Sequence, residues 1–250
     1  MRTGSLLAAG CVVALAACSA PPRPVFPPAL VPSAATTVSA DDARTWIERG
    51  RAYEHATGNF SAVVGVAVRD LARGQSFEAR GAIAVQRPDA MRMQISAAGG
   101  VTAVDLLARD GNWWLRLAGR DWVRGRLNDA PGAGFPAGAL ARSFLGFDWD
   151  HASAVTRSGA LAVLSAPSTE GHALVTIEPA DGTTREVRWF TGDSERARVR
   201  FAEFERGDDG IRWPRVVLFW QAQPGVSSTI TVESRTVSPT LPPATFAAPN

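Results

Sequence analysis

Between residues 61 and 126 apolar and polar positions alternate along the chain, segment after segment. Phe77, Ala79, Gly81, Ile83 and Val85 fall on one side of an extended segment, and Ser76, Glu78, Arg80 and Gln86 fall mostly on the other. A repeat of two residues is the mark of a strand with one face buried. A turn is expected at Arg87-Pro88-Asp89, because proline fixes its own φ and pushes its predecessor out of the helical region. The pattern then resumes with Met91, Met93 and Ile95 against Arg92, Gln94 and Ser96. A further segment runs into Asp110-Gly111, a strong hairpin signal, after which Trp113, Leu115 and Leu117 alternate with Trp114, Arg116 and Ala118. The whole reads as an antiparallel meander with one apolar face that needs a cover. Arg80 and Arg92, on the opposite side, are expected to be solvated.

Two stretches break this rhythm with helical spacing. In residues 39–57, Ala43, Trp46, Ile47, Gly50 and Tyr53 form one stripe, and Ser39 with Asp42 resembles a capping box. Gly50 is unfavourable in a helix interior by about 1 kcal/mol against alanine, so it marks close packing. Residues 136–145 carry a small apolar face of Leu140, Phe144 and Leu145, with a Gly/Pro-rich loop before them and Gly146 after. That composition predicts a loosely held lid. A second series of alternating segments follows to residue 236. The count is about eleven strands and two helices with no βαβ alternation. The expected class is mainly β (α+β), an antiparallel sheet long enough to curl.

The first residues are of another kind. Met1-Arg2 supplies a positive charge, and residues 6–17 form an apolar run of small side chains. At roughly a dozen residues it is too short for a membrane span, which takes about 20, and right for the apolar region of a secretory signal. It closes on Leu15-Ala16-Ala17-Cys18, which resembles the bacterial lipobox. That likeness implies cleavage before Cys18, acylation of that residue, and a chain held to a membrane by its own lipid. Residues 1–17 are then the signal peptide and 18–38, rich in Pro, Ala and Thr, a tether too poor in apolar surface to fold. The folded domain is expected over residues 39–250.

Composition removes several classes of function. The other cysteine, Cys11, lies inside the cleaved segment, so the mature chain offers no disulfide and no thiolate ligand. All 26 basic residues are arginine, the formal net charge is +2, and the arginines are scattered, so no basic patch points to nucleic acid. The three histidines, His55, His151 and His172, have no metal-ligand spacing, and His151 beside Asp148 and Asp150 reads as a solvated loop. No phosphate loop or nucleophile elbow is present. No enzyme activity, cofactor or metal is expected.

Four short motifs, in order, resemble the LolA/LolB superfamily of bacterial envelope lipoprotein carriers and receptors. Arg87-Pro88 with Met91-Arg92 is similar to the family's R-P-x-x-x-R. Asp110-Gly111 before Trp114 and Leu115, Trp213-Pro214-Arg215, and Leu241-Pro242-Pro243 with Phe246 are similar to its later signatures. The likeness covers most of the chain after residue 40. It implies an incomplete barrel, lidded by two or three helices, whose concave face holds acyl chains or lipoproteins. It also implies a lipid-anchored, LolB-like receptor on the periplasmic face of the outer membrane, a monomer served by a soluble periplasmic carrier. Ser19 after the cysteine agrees with outer-membrane sorting. The chain departs from the family at the loop 97–101, where Val101 stands in for the usual apolar tip.

On these grounds Phe77, Ile83, Val85, Met91, Met93 and Ile95 are the candidate cavity lining, methionine being suited to apolar partners of variable shape. Trp46, Ile47, Leu140, Phe144 and Leu145 are the candidate lid, and Cys18 the lipidated residue. Small side chains at Ala79, Gly81 and Ala103 are expected to leave room for a ligand. An envelope scaffold or stress-sensing lipoprotein, with the same fold and a filled cavity, is the alternative. What separates the two is whether the concave face is packed by its own side chains.

Overall fold

The computed structural model describes residues 27–30, 38–71, 74–97, 99–127, 137–168, 171–222, 225–237 and 240–249. The signal segment, Cys18 and the loop 128–136 lie outside them. Helix α1 (Ala40–Thr57) leads into six strands: β1 (Phe60–Asp70), β2 (Gln75–Gln86), β3 (Ala90–Ser96), β4 (Thr102–Arg109), β5 (Asn112–Leu117) and β6 (Val123–Arg126). Helix α2 (Ala137–Leu145) and a single 3-10 turn (Trp149–His151) intervene. Seven more strands follow: β7 (Ser153–Ser158), β8 (Leu161–Ser168), β9 (Gly171–Ile177), β10 (Thr184–Thr191), β11 (Ser194–Arg206), β12 (Arg212–Gln221) and β13 (Val226–Val237). A last 3-10 turn spans Pro243–Phe246.

All thirteen strands form one antiparallel sheet in the order β6-β5-β4-β3-β2-β1-β13-β12-β11-β10-β9-β8-β7. The first meander runs outward from β1 at the centre, the second runs inward from the edge to β13, which pairs with β1, and among the described residues the edge strands β6 and β7 do not pair with each other. The sheet is therefore a curled, unclosed barrel, and α1, α2 and the first 3-10 turn cover its concave face. Among the described residues there are thirteen strands, where about eleven are expected from the sequence.

The concave face carries the core. Val64, Ile83, Val85, Met91, Ile95 and Leu106 are buried, as the period-two pattern requires. The room expected at Gly81 is already taken: a Cβ there would meet Ile95 Cδ1 at 2.7 Å and Gln94 O at 2.1 Å. Phe77 shares the parity of Ile83 and Val85 but is 49% exposed, toward the end of β2 that turns back to β1.

Both helices are placed by identifiable contacts. Ser39 caps α1 by accepting from Asp42 N at 3.1 Å. The stripe of Trp46 and Gly50 is buried, and a Cβ on Gly50 would fall 2.6 Å from the Trp149 ring. Arg49 donates to Pro179 O at 2.5 Å, and Arg51 pairs with Asp150 at 2.6 Å, which fastens α1 to the β9–β10 turn and to the first 3-10 turn. Helix α2 is buried more deeply than the small apolar face of its sequence predicts. Eight of its nine residues are buried, including Leu140, Phe144 and Leu145, because the curl of the sheet surrounds a helix that a flat sheet would leave half exposed.

The convex face is also partly covered. Ala90, Leu107, Leu241 and Phe246 form a second cluster with Ala84 and Trp114 packed on it. Beside it Arg92 makes a two-pronged bond to Asp105 (3.0 and 2.9 Å), and Asp105 is fully buried. Arg92 also donates to Thr245 O at 3.1 Å. It is therefore not the solvated outer residue that alternation alone implies, because the C-terminal turn lies over it. Arg80 does stand out, 72% exposed, paired with Glu233.

The tether is not wholly free of the domain. Pro27 O accepts from Arg198, Pro28 O accepts from Arg200 at 2.7 Å, and Leu30 N donates to Glu186 at 3.2 Å. A proline offers a carbonyl and no N–H, so two of them suit a face lined by arginine donors.

Candidate functional site

A cavity of about 60 Å³ lies where the end of α1, α2, β1 and the strands β11–β13 meet. Its walls are mostly aromatic and aliphatic: Phe60, Ala62, Phe144, Phe147, Phe201, Trp213, Val217 and Val232. Phe60 meets Trp213 edge-on with centroids 5.2 Å apart. One side of the cavity is polar, formed by Tyr53, Glu54, Thr57, Arg87, Ser143, Glu205 and Arg235.

The polar side is built around the last turn of α1. Glu54 accepts from Trp149 Nε1 at 2.6 Å and from Phe147 N at 3.2 Å, so one carboxyl ties α1 to the segment that leaves α2. That approach needs Gly146, whose φ is +112° and whose Cβ would stand 2.4 Å from Glu54 Oε2. Burial pushes the Glu54 carboxyl up to about 7, although Arg87, the Trp149 and Phe147 donors and Arg142 all favour its charged form. Burial likewise raises the Tyr53 hydroxyl to about 12, and that hydroxyl donates to Arg212 O at 2.8 Å.

Arg87 stands at the end of β2, two residues after Val85 and therefore on the same face. Its Nη1 donates to Glu54 O at 2.9 Å and Thr57 Oγ1 at 2.5 Å, while its backbone N–H donates to Asn59 Oδ1 at 3.0 Å. Its Nε is shut off from solvent and has no hydrogen-bond partner. Arg235 lies with its guanidinium carbon 3.8 Å from the centre of the Trp213 ring, and its Nε is likewise sealed and unpartnered. Desolvation lowers the pKa of both guanidinium groups. It reaches the cavity through a register shift in β13. Val64 pairs with Val232 and Val63 with Ser234, so Glu233 is the extra residue. Beyond the shift Arg235 pairs with Ala62 and shares its face.

Of the residues singled out from sequence, Phe144 borders this cavity. Ile83, Val85, Met91, Met93 and Ile95 are packed in the core, as are Trp46, Leu140 and Leu145, with Ile47 half-buried against it. Glu54, Arg87, Arg235, Phe60, Phe201 and Trp213 were not anticipated as a group. Helical spacing carried a signal for Glu54, an acid four residues after Gly50 on an otherwise apolar stripe. For Arg235 there was none, since strict alternation places it with the outward residues.

Elsewhere, His151 and Asp148 form an exposed pair at 2.9 Å, and His172 stacks on Phe190. Among the described residues no group of His, Cys, Asp and Glu could hold a metal ion, and no helix is long and apolar enough to cross a membrane. Val101 is 63% exposed in the β3–β4 hairpin, beside Gly99 and Gly100, both at positive φ.

The sequence matches no protein-family model and no curated relative. Solved structures do resemble it. A LolA-superfamily protein from Nitrosomonas europaea superposes with a TM-score of 0.64 at 14% identity, covering 82% of this chain and 97% of its own. A domain described as an outer membrane lipoprotein-sorting protein, from Vibrio parahaemolyticus, gives 0.63 at 14% identity over 83% and 97%. A DUF1329-family protein from Desulfovibrio piger gives 0.60 at 11% identity over 82% and 97%. At these identities the likeness establishes the fold, which is LolA/LolB-like.

Proposed function

We propose that the protein is a lipid-anchored envelope protein that binds acyl chains, free or as part of a lipoprotein, beneath its helical cover. The observation that carries this is the cavity between α1, α2 and β11–β13, apolar and aromatic on most of its wall. It sits on a LolA/LolB-like fold, and one structural neighbour is described as a lipoprotein-sorting protein. Lipidation at Cys18 would hold the domain on the periplasmic face of the outer membrane, where exposed Val101 is available to a lipid surface. The part played here is binding and transfer, with no catalytic step.

A volume of about 60 Å³ is far below the roughly 300–1,000 Å³ of ordinary ligand pockets. The described conformation is thus the closed one, and an acyl chain enters only when α2 shifts from the sheet. Glu54 and Arg87 make the bonds that hold the last turn of α1 to its neighbours in the closed form. Dense packing elsewhere on the concave face favours the second reading, a scaffold or sensor whose barrel stays filled.

The two readings separate in one experiment. A soluble form, residues 19–250, is titrated with a fluorescent fatty-acid probe and extracted for co-purified lipid by mass spectrometry. Saturable binding, with altered amide exchange in α2, is expected. No bound lipid and no probe binding, in a protein shown to be folded, would leave the scaffold reading in its place. Replacing Cys18 by serine in the full chain should release it from the membrane fraction; continued fatty-acid labelling of that variant would show the anchor is elsewhere.

A further inference from the structure

Two arginines and two glutamates line the cavity, and the arginines are the ones left short of partners. Arg87 and Arg235 both line it, and each has an Nε that is shut off from solvent and bonded to nothing. A sealed guanidinium N–H without an acceptor is costly, because nothing replaces the water it has lost. The carboxylates nearby do not fill that need. Glu54 is engaged by the Phe147 N–H and the Trp149 indole. Glu205 is turned toward Arg215, 3.7 Å away, and is more than half exposed. Asp209 accepts from Ile211 N at 2.9 Å and lies 3.3 Å from Trp213 Nε1. The remaining lining is mostly apolar, Phe144, Phe201, Val217 and Val232 among it, with the hydroxyls of Ser143 and Thr184 beside them.

We infer that the site selects amphiphiles with an anionic head. A carboxylate or phosphate oxygen accepts from the free N–H groups of Arg87 and Arg235, and a single acyl chain extends along the aromatic wall. Planar guanidinium groups suit either oxyanion, and a charge-assisted bond in a water-poor cavity is stronger than one in solvent. The present volume of about 60 Å³ is too small for a chain, and both Nε atoms are covered within it, so head and chain enter together when Phe144, on α2, moves away. This inference rests on the acyl-binding function proposed above and goes further, naming the feature of the ligand that is recognised.

Three probes with one chain and different heads test it: dodecanoate, dodecyl phosphate and dodecanol. Each is titrated into the residue 19–250 protein, with tryptophan fluorescence as the readout. Dodecanoate or dodecyl phosphate should bind at least tenfold more tightly than dodecanol, and whichever is tighter identifies the head. Arg235→Gln and Arg87→Gln should each remove most of that preference. Arg87→Lys should restore part of it, and Arg80→Gln, outside the cavity, should change nothing. Because Arg87 also holds α1, circular dichroism must show its variants folded; if Arg87→Gln is not, Arg235→Gln decides alone. Equal affinity for all three probes overturns the head selection and leaves acyl binding standing. Binding of none overturns both. An anion preference that survives both glutamine variants assigns the head to other residues and also overturns the inference.

Discussion

The concave face has two halves that solve opposite problems. Under α2, strands β2–β4 present Ile83, Val85, Met91, Met93, Ile95 and Leu106, all buried, with no polar group among them. Where α1 meets β1 and β11–β13, the wall mixes Phe60, Phe201 and Trp213 with Tyr53, Glu54, Arg87 and Arg235, and space remains. The first half is closed by dispersion and hydrophobic burial, which are non-directional and fill volume. The second is held by a few directional bonds, which fix distances between elements and leave gaps where side chains cannot interdigitate. The half that looks most like an acyl site in sequence is the half with no room, and the half with room is marked by buried charge.

The largest effect expected from this contrast is on stability. Met93→Ala should lower the unfolding free energy by about 2–5 kcal/mol, as truncations in packed cores do, with fatty-acid affinity of the folded protein unchanged. Urea denaturation and probe titration of the same sample check it. Lost binding in the folded variant would mean the ligand reaches into the packed half.

Next in size is a pH effect confined to the polar half. Glu54 has a carboxyl pKa of about 7 in the fold against 4.5 without it, so between those values the folded state holds more protons. Stability from this group is therefore fully present below about pH 4.5 and falls as pH rises through about 7, by on the order of 2–3 kcal/mol. The groups that act on it are Arg87, Arg142 and the donors on Trp149 and Phe147. Glu54→Gln should flatten that decline, approaching or exceeding the unsubstituted protein at pH 8 while lagging at pH 4.5. Thermal melts across this range read it directly, and parallel pH profiles for the two proteins would show that Glu54 does not titrate there.

The smallest effect belongs to Phe77, at the exposed end of β2. Phe77→Ser should shift stability by no more than about 0.5 kcal/mol and leave probe affinity alone. A clear loss of binding would extend the functional surface beyond both halves, to the end of the sheet.

The two halves were not equally legible in the sequence. Ile83, Val85, Met91, Met93 and Ile95 follow a period of two without interruption, and all are in the core. Trp46 and Gly50 follow helical spacing, and α1 buries them. Hairpin chemistry placed the Asp110-Gly111 turn, where both residues have positive φ. By contrast Arg87, Glu54 and Arg235 come from three elements, and no local pattern says that they converge. Arg92 shows the same limit on the convex face: alternation assigns its side, but the cover comes from residues 241–246, far along the chain.

Local steric preference and the need to bury apolar groups act over a few residues, so the sequence by itself determined the strands, the helix stripe, the turns and the parity of the core. It also carried the four motifs that point to the LolA/LolB-like fold. Curvature and register are collective, set by how thirteen paired strands twist and slip against one another, and only the tertiary structure decided them. The sheet's curl is what surrounds α2 and buries eight of its residues. A one-residue slip at Glu233 turns Arg235 from the outer face into the cavity, because side chains in a strand alternate and every position past the extra residue changes sides.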